Sequence, residues 1–209
     1  MDAQIAQIVP CTEAEGPGRR FALWFQGCPL RCPGCCNPEM LPFAGGQSTS
    51  VTQLVGQMLA AQSQFQIEGL TLMGGEPFAH AEPAAALARQ AQQHGLSVMI
   101  FSGYVLEELQ ARSEMAIAEL LAATDLLVDG PYLCEQPDTT RRWIGSTNQR
   151  IHFLSQRYQP DDPIWKESNT LEIRLLGGEL TVNGFPSPRA KMLWKRPGSQ
   201  HGALPGRTK

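Results

Sequence analysis

Residues 27–37 read Gly27-Cys28-Pro29-Leu30-Arg31-Cys32-Pro33-Gly34-Cys35-Cys36-Asn37, and this stretch holds four of the six cysteines of the chain. Cys28, Cys32 and Cys35 follow the spacing CxxxCxxC. Thiolates this close in sequence can share one polynuclear metal centre. Pro29, Pro33 and Gly34 favour turns over regular helix or strand, so the segment can wrap around a cluster. Three thiolates on a four-iron cluster leave one iron without a protein ligand, open to a small molecule.

Other uses of the cysteines fit the pattern less well. A structural zinc site draws on two separated ligand pairs, and the fourth ligand here would be Cys36, directly beside Cys35. A disulfide framework belongs to secreted chains, and the start Met1-Asp2-Ala3-Gln4 carries no secretory pattern. Cys36 either substitutes for Cys35 as a ligand or lines the site as a small thiol. Cys11 and Cys134 stand alone and read as packing cysteines. His80, His94, His152 and His201 show no ligand spacing and are assigned to no metal.

Outward from this loop, strands and helices alternate. Upstream, Gln4 to Val9 reads as a short strand, and Arg20 to Phe25 is a continuous apolar run that fits a buried strand. The cysteine loop leaves the C-terminal end of that run. Downstream, Ser50 caps a helix whose inner face carries Val51, Leu54, Val55, Met58 and Leu59. Leu70 to Met73 is a strand ending in Gly74-Gly75-Glu76-Pro77. Pro83 suits a helix start and Gly95 its end. Leu96 to Phe101 is a strand ending in Ser102-Gly103-Tyr104. Val105 to Thr124 is helical with a break near Ser113, and Leu126 to Val128 is a strand ending in Asp129-Gly130-Pro131. Such alternation with short connections predicts an α/β fold with parallel strands and right-handed crossovers. There are too few units for a closed eight-stranded barrel, so an open, partial β/α barrel is expected.

The small and polar strand ends all fall on the cysteine-loop side and outline a shared pocket. Gly74 and Gly75 let backbone approach a ligand closely, and Glu76 offers a carboxylate beside it. Residues 141–150 form a polar loop ending Gly145-Ser146-Thr147-Asn148-Gln149-Arg150. It either faces an anionic ligand or simply caps the fold. Leu171 to Leu175 alternates, Gly177-Gly178 follows, and Glu179 to Val182 completes a β-hairpin.

On Cys28, Cys32 and Cys35, with Gly-Gly-Glu-Pro at a following strand end, the chain resembles the radical S-adenosylmethionine enzymes. More narrowly it resembles the activases of glycyl-radical enzymes, in the branch that activates anaerobic ribonucleotide reductase. Cys-Pro-Gly-Cys is common there, Asn37 is kept, Cys36 stands where an aromatic residue is usual, and Gly-Ser-x-Asn-Gln recurs. The resemblance covers roughly residues 16–150. It implies a 4Fe-4S cluster on Cys28, Cys32 and Cys35, and S-adenosylmethionine beside Gly34, Cys36, Asn37, Gly74, Gly75, Glu76, Ser102 and Asp129. It implies a large glycyl-radical enzyme as protein substrate and a small electron donor such as a flavodoxin. No acid–base catalyst is named, because the cofactor carries the hard chemistry. Two rivals remain: a radical enzyme acting on a different polypeptide or small molecule, and a non-catalytic iron–sulfur module for electron transfer or binding.

Composition frames these expectations. The chain has 209 residues, 42% hydrophobic and 18% charged, ordinary for one globular domain. No apolar run is long enough to span a membrane, and the cytoplasm is the expected location. The net charge of −3 is unevenly spread. From Ser187 onward stand Arg189, Lys191, Lys195, Arg196, Arg207 and Lys209 with no acid, so the first 186 residues carry −9, eleven bases against twenty acids. Residues 1–186 are read as the radical S-adenosylmethionine domain and 187–209 as a basic, disordered tail. No nucleic-acid partner is expected.

Overall fold

A computed structural model describes residues 1–176 and 179–185 of the chain. Its elements are β1 (Asp2–Thr12), β2 (Arg20–Phe25), β3 (Gln47–Ser50), α1 (Val51–Phe65), β4 (Gly69–Gly74) and α2 (Ala81–Gln93). They continue as β5 (Ser97–Phe101), α3 (Leu106–Gln110), α4 (Met115–Ala122), β6 (Leu126–Asp129), β7 (Arg150–Phe153), β8 (Leu171–Leu176) and β9 (Glu179–Gly184). Seven strands form one sheet in the order β3-β1-β2-β4-β5-β6-β7. Its centre, β2, β4, β5 and β6, is parallel. β1 and β3 close one edge and β7 the other, all antiparallel. The fold is thus mixed α/β around a parallel-rich sheet.

Side chains explain why β2 sits at the centre. Every residue of β2 is buried. With period two, Phe21, Leu23 and Phe25 face the layer made by Leu54 and Met58 of α1, Leu87 and Ala88 of α2, and Leu120 of α4. Ala22 and Trp24 face the other way, against Val9, Met40 and Met73. A strand covered on both faces reads as a continuous apolar run, as parallel strands do. At its start Arg20 is fully buried and donates to Thr71 Oγ1 at 2.5 Å, Ser97 Oγ at 2.9 Å and Leu70 O at 2.6 Å. It fastens β2, β4 and β5 at the end opposite the cysteine loop.

Local signals placed most boundaries. Ser50 caps α1 reciprocally with Gln53, and the break between α3 and α4 falls at residues 111–114. Four elements differ from expectation. α2 begins at Ala81, two residues before Pro83, because a 3-10 turn over Pro77–His80 leads into it; Pro83 still lies in the first turn, where its missing N–H costs nothing. β1 runs on to Thr12. β7 begins at Arg150, inside the polar loop, and β3 is a strand without a single aliphatic or aromatic residue.

The hairpin of β8 and β9 forms as expected, with Ile173 opposite Val182. Its turn, Gly177-Gly178, lies outside the described residues, as does the basic tail. The hairpin docks near the start of β2. Asn183 donates to Thr12 Oγ1 at 2.9 Å, Gly184 N to Glu15 Oε1 at 2.6 Å, and Glu13 N to Glu172 Oε1 at 2.7 Å. Burial pushes the Glu15 carboxyl up to about 7, although Gly184 and Asn183 favour its charged form. The folded chain therefore holds this proton more tightly than the unfolded chain, whose carboxyl titrates near 4.5. The sign follows: stability is greatest below the unfolded value and declines as pH rises through about 7. Glu15→Gln is expected to remove that decline, on the order of 3 kcal/mol. Urea unfolding of both proteins at acidic and mildly alkaline pH checks it; parallel profiles would remove Glu15 as the cause.

Candidate metal centre and cofactor pocket

The cysteine loop is tied into a ring where it leaves β2. Gly27 N donates to Met40 O at 2.8 Å and Cys28 N to Leu41 O at 3.0 Å. Gln26 Nε2 bridges Glu39 O at 3.0 Å and Pro42 O at 2.7 Å. Cys28 is buried, Cys32 and Cys35 are half-buried, and Cys36 is exposed. The Cys35 sulfur receives Asn37 N at 3.4 Å, and the amides of Leu30 and Arg31 favour the charged form of Cys28. Burial pushes both thiols up, and each feels the charge of the other cysteines of the motif. Among the described residues, no three Cys, His, Asp or Glu side chains converge tightly enough to enclose a single ion. The donor set nonetheless fits an iron–sulfur cluster: three thiols on one loop, with a backbone N–H group aimed at the Cys35 sulfur.

The Gly74–Glu76 turn presses directly on the root of this loop. Gly75 N donates to Phe25 O at 2.8 Å and Glu76 N to Gly27 O at 3.0 Å. A Cβ on Gly75 would lie 2.2 Å from Gly27 O, and one on Gly74, at φ +99°, would lie 2.6 Å from Trp24 Cβ. The close approach that these glycines permit is therefore first of all to β2 and Gly27.

Glu76 is buried, and its carboxylate points inward. It accepts from Phe78 N at 3.0 Å, Ser102 Oγ at 3.0 Å and Gly103 N at 2.9 Å. Burial pushes its pKa up to about 7 against these three donors. Ser102 in turn accepts from Tyr104 N at 3.1 Å, and its own N–H reaches Val128 O at 2.9 Å. The ends of β4, β5 and β6 are thus stitched together. Leu30 of the cysteine loop covers Gly103, where a Cβ would meet its Cδ1 at 2.5 Å.

Asp129 lies apart from this network. It is fully buried, and protein groups surround its carboxylate. Leu106 N donates at 2.7 Å, Arg150 reaches it at 3.1 and 2.6 Å, and His152 Nε2 lies 2.9 Å away. Burial works to raise its pKa, but Arg150, Leu106 N–H and His152 outweigh it and hold the carboxyl below the usual range. The polar loop is similarly self-engaged. Arg141 binds Asp138 at 2.7 Å and Gln149 O at 2.8 Å, while Gln149 Oε1 accepts from Gly145 N and Ser146 N. Arg141 thus serves to fold the loop, while Arg142 reaches out of it to Glu167 at 2.6 Å.

Sequence reasoning missed Cys134. It is exposed, and its Sγ rests on Gly34 so closely that a Cβ there would lie 2.9 Å away. Gly34 takes φ +71°, and Cys134 occupies the space that its side chain would need. The reading of Cys134 as a packing cysteine is corrected: the loop after β6 folds back over the cysteine loop. Burial first, and then the charge of Cys36, push the pKa of Tyr132 in the same segment up. No local signal marks either residue, because the contact is made by chain reversal.

Residues 14–152 match the family described as 4Fe-4S single cluster domain. The anaerobic ribonucleoside-triphosphate reductase-activating protein of Salmonella typhimurium is 30% identical over 154 residues, 71% of this chain and 97% of its own. The protein of the same name from Enterobacteria phage T4 is 30% identical over 164 residues, 77% of this chain and 96% of its own. Among solved structures, QueE from Escherichia coli aligns over 49% of this chain and 53% of its own with 19% identity and a TM-score of 0.38, too low to add to the argument. The family match ends within β7, so the β8–β9 hairpin lies beyond it. With the CxxxCxxC loop at the end of β2 and the Gly-Gly-Glu turn against it, the chain belongs to the radical S-adenosylmethionine activating-protein family of the anaerobic ribonucleoside-triphosphate reductases.

Proposed function

We propose that this protein binds a 4Fe-4S cluster through Cys28, Cys32 and Cys35, binds S-adenosylmethionine beside it, and installs a glycyl radical on an anaerobic ribonucleotide reductase. The observation that carries the reading is the direct contact between the Gly74–Glu76 turn and Gly27, at the root of the cysteine loop. An electron-transfer module has no need of an amino-acid pocket built onto its cluster loop. When bound and reduced, the cluster supplies the electron that cleaves S-adenosylmethionine to methionine and a 5'-deoxyadenosyl radical, which takes a hydrogen atom from a backbone glycine of the partner.

The chain's own residues hold and orient. The sheet serves as one side of a partial barrel, open where a partner's loop enters. Gly74 and Gly75 offer main-chain groups to the cofactor's amino group. Glu76 has roughly four acceptor positions, of which the protein fills three, leaving one for an ammonium. Ser102 aligns the end of β5 beside it. Gly34, Cys36 and Asn37 border the pocket from the cysteine loop. Asp129 acts through structure, fixing the start of α3 and Arg150 around the pocket. A small flavodoxin-like protein is the expected electron donor. No helix among the described residues is long and apolar enough to cross a membrane.

The test mixes the reduced, cluster-loaded protein, S-adenosylmethionine and the reductase from the same organism. A glycine-centred doublet in electron paramagnetic resonance, with 5'-deoxyadenosine formed alongside, is the expected result. Cofactor cleavage without the doublet, on folded reductase, would keep the radical enzyme and discard this substrate. No cleavage by a cluster-replete sample would overturn the whole reading.

A further inference from the structure

The β8–β9 hairpin is amphipathic in the reverse of the usual sense. Residues paired across its strands share a face. Glu172 with Asn183 and Arg174 with Thr181 make one face, and Ile173 with Val182 lies on the other. Leu175 joins Ile173 by the two-residue period of the strand. The polar face is the one turned to the domain. Arg174 donates to Cys11 O at 2.6 Å, Asn183 donates to Thr12 Oγ1 at 2.9 Å, and Glu172 accepts from Glu13 N at 2.7 Å. The apolar face is left outward, with Ile173 60%, Leu175 73% and Val182 36% exposed. A hairpin is marginal without an apolar face packed on something, and contiguous apolar surface marks a contact site.

We propose that the outward face of the hairpin is the seat of the segment Met192-Leu193-Trp194 of this same chain. This is the longest apolar run after Ser187. The chain runs on directly from the end of β9, so the segment is tethered beside the face and competes at high effective concentration. Met192 stands eight positions after Gly184, a reach of about 26 Å when extended. Leu175 stands four positions along β8 from Leu171, the partner of Gly184, or about 13 Å. The tether is therefore long enough to double back, and Pro186 and Pro188 suit the reversal. Charge favours the same occupant. Lys191, Lys195 and Arg196 flank the segment, and the first 186 residues carry −9, so the tail is drawn to the domain that bears it. Position argues against the reductase. The hairpin docks by Thr12, which pairs with Arg20 at the start of β2, away from the cysteine loop where a glycine would have to arrive.

The full-length protein is made with the photoreactive residue p-benzoylphenylalanine in place of Leu175, the most exposed of the three side chains. It is irradiated over a range of concentrations, digested and read by mass spectrometry. The expected product joins the peptide of residue 175 to that of Met192–Trp194 within one chain, with a yield independent of concentration. The yield should fall severalfold when Leu193→Ser and Trp194→Ser are introduced together. Hydrogen exchange on the same double variant, with Leu175 restored, keeps the test open to failure. The amides of β8 and β9 should exchange faster, while those of β2, β4 and β5 stay as protected as in the unaltered protein. Unchanged exchange in the hairpin would overturn the proposal. So would links from residue 175 to other segments alone. Links between chains that rise with concentration would give the face to a second copy, and links that form only with added reductase would give it to that partner; either result overturns the seat.

Discussion

Cys28→Ala, Cys32→Ala and Cys35→Ala are each expected to leave the protein without a 4Fe-4S cluster after anaerobic reconstitution. Each removes one of the three thiolates of the motif, a third of the protein ligands proposed for the cluster. Cys28→Ala should be the most severe, since Cys28 is the buried member of the three. Cys36→Ala should keep its cluster. Iron and sulfide analysis, with the visible absorption of the cluster, reads all four. The decisive comparison lies between neighbours: a cluster retained in Cys35→Ala and lost in the Cys35/Cys36 double variant would make Cys36 the third ligand.

Glu76→Ala carries the second large effect. It strands three donors, Phe78 N, Ser102 Oγ and Gly103 N, around a buried site. A buried donor left unsatisfied costs roughly 1–3 kcal/mol, so a loss on the order of 3 kcal/mol in stability is expected. Affinity for S-adenosylmethionine should fall by at least about tenfold, from loss of a charge-assisted bond to an ammonium. Glu76→Gln separates the two roles. Its carbonyl oxygen can keep the bonds to Phe78 and Ser102, so stability should fall less, while the charge offered to the cofactor is gone. Anaerobic binding titration and thermal unfolding measure the pair. Unchanged affinity in Glu76→Gln would confine Glu76 to holding the strand ends together.

The parts of the fold that were legible are those whose residues solve a local problem. β2, β4, β5 and β6 read as apolar runs because both of their faces are covered. Ser50 and the break before Met115 are local chemistry, visible without tertiary contacts. β3 was illegible because Gln47, Ser48, Thr49 and Ser50 carry no apolar signal; they form a strand only because β1 offers an edge to pair with. β7 was hidden because Arg150 was read together with the polar loop, whereas it turns inward to Asp129 and pairs with Glu107. For the site, Gly-Gly-Glu was recognisable as a turn at the end of a strand. Its first duty, clearing room for Gly27, was not, because that contact joins residues far apart in the chain. Cys134 was misread for the same reason.

The shared backbone between the Gly74–Glu76 turn and the Phe25–Gly27 segment has a thermodynamic consequence. Phe25 O and Gly27 O accept the N–H groups of Gly75 and Glu76, so neither segment can be ordered without ordering the other. Two binding events that draw on one ordering step are coupled, and the coupling is equal in both directions. Filling the cysteine loop lowers the cost of shaping the turn, and filling the turn steadies the loop by the same free energy. Under the proposed function, a chain that lost its iron would hold its second ligand less tightly, by that same free energy. Futile capture of S-adenosylmethionine by empty protein would thereby be limited by the hydrogen-bonding pattern at the end of one strand.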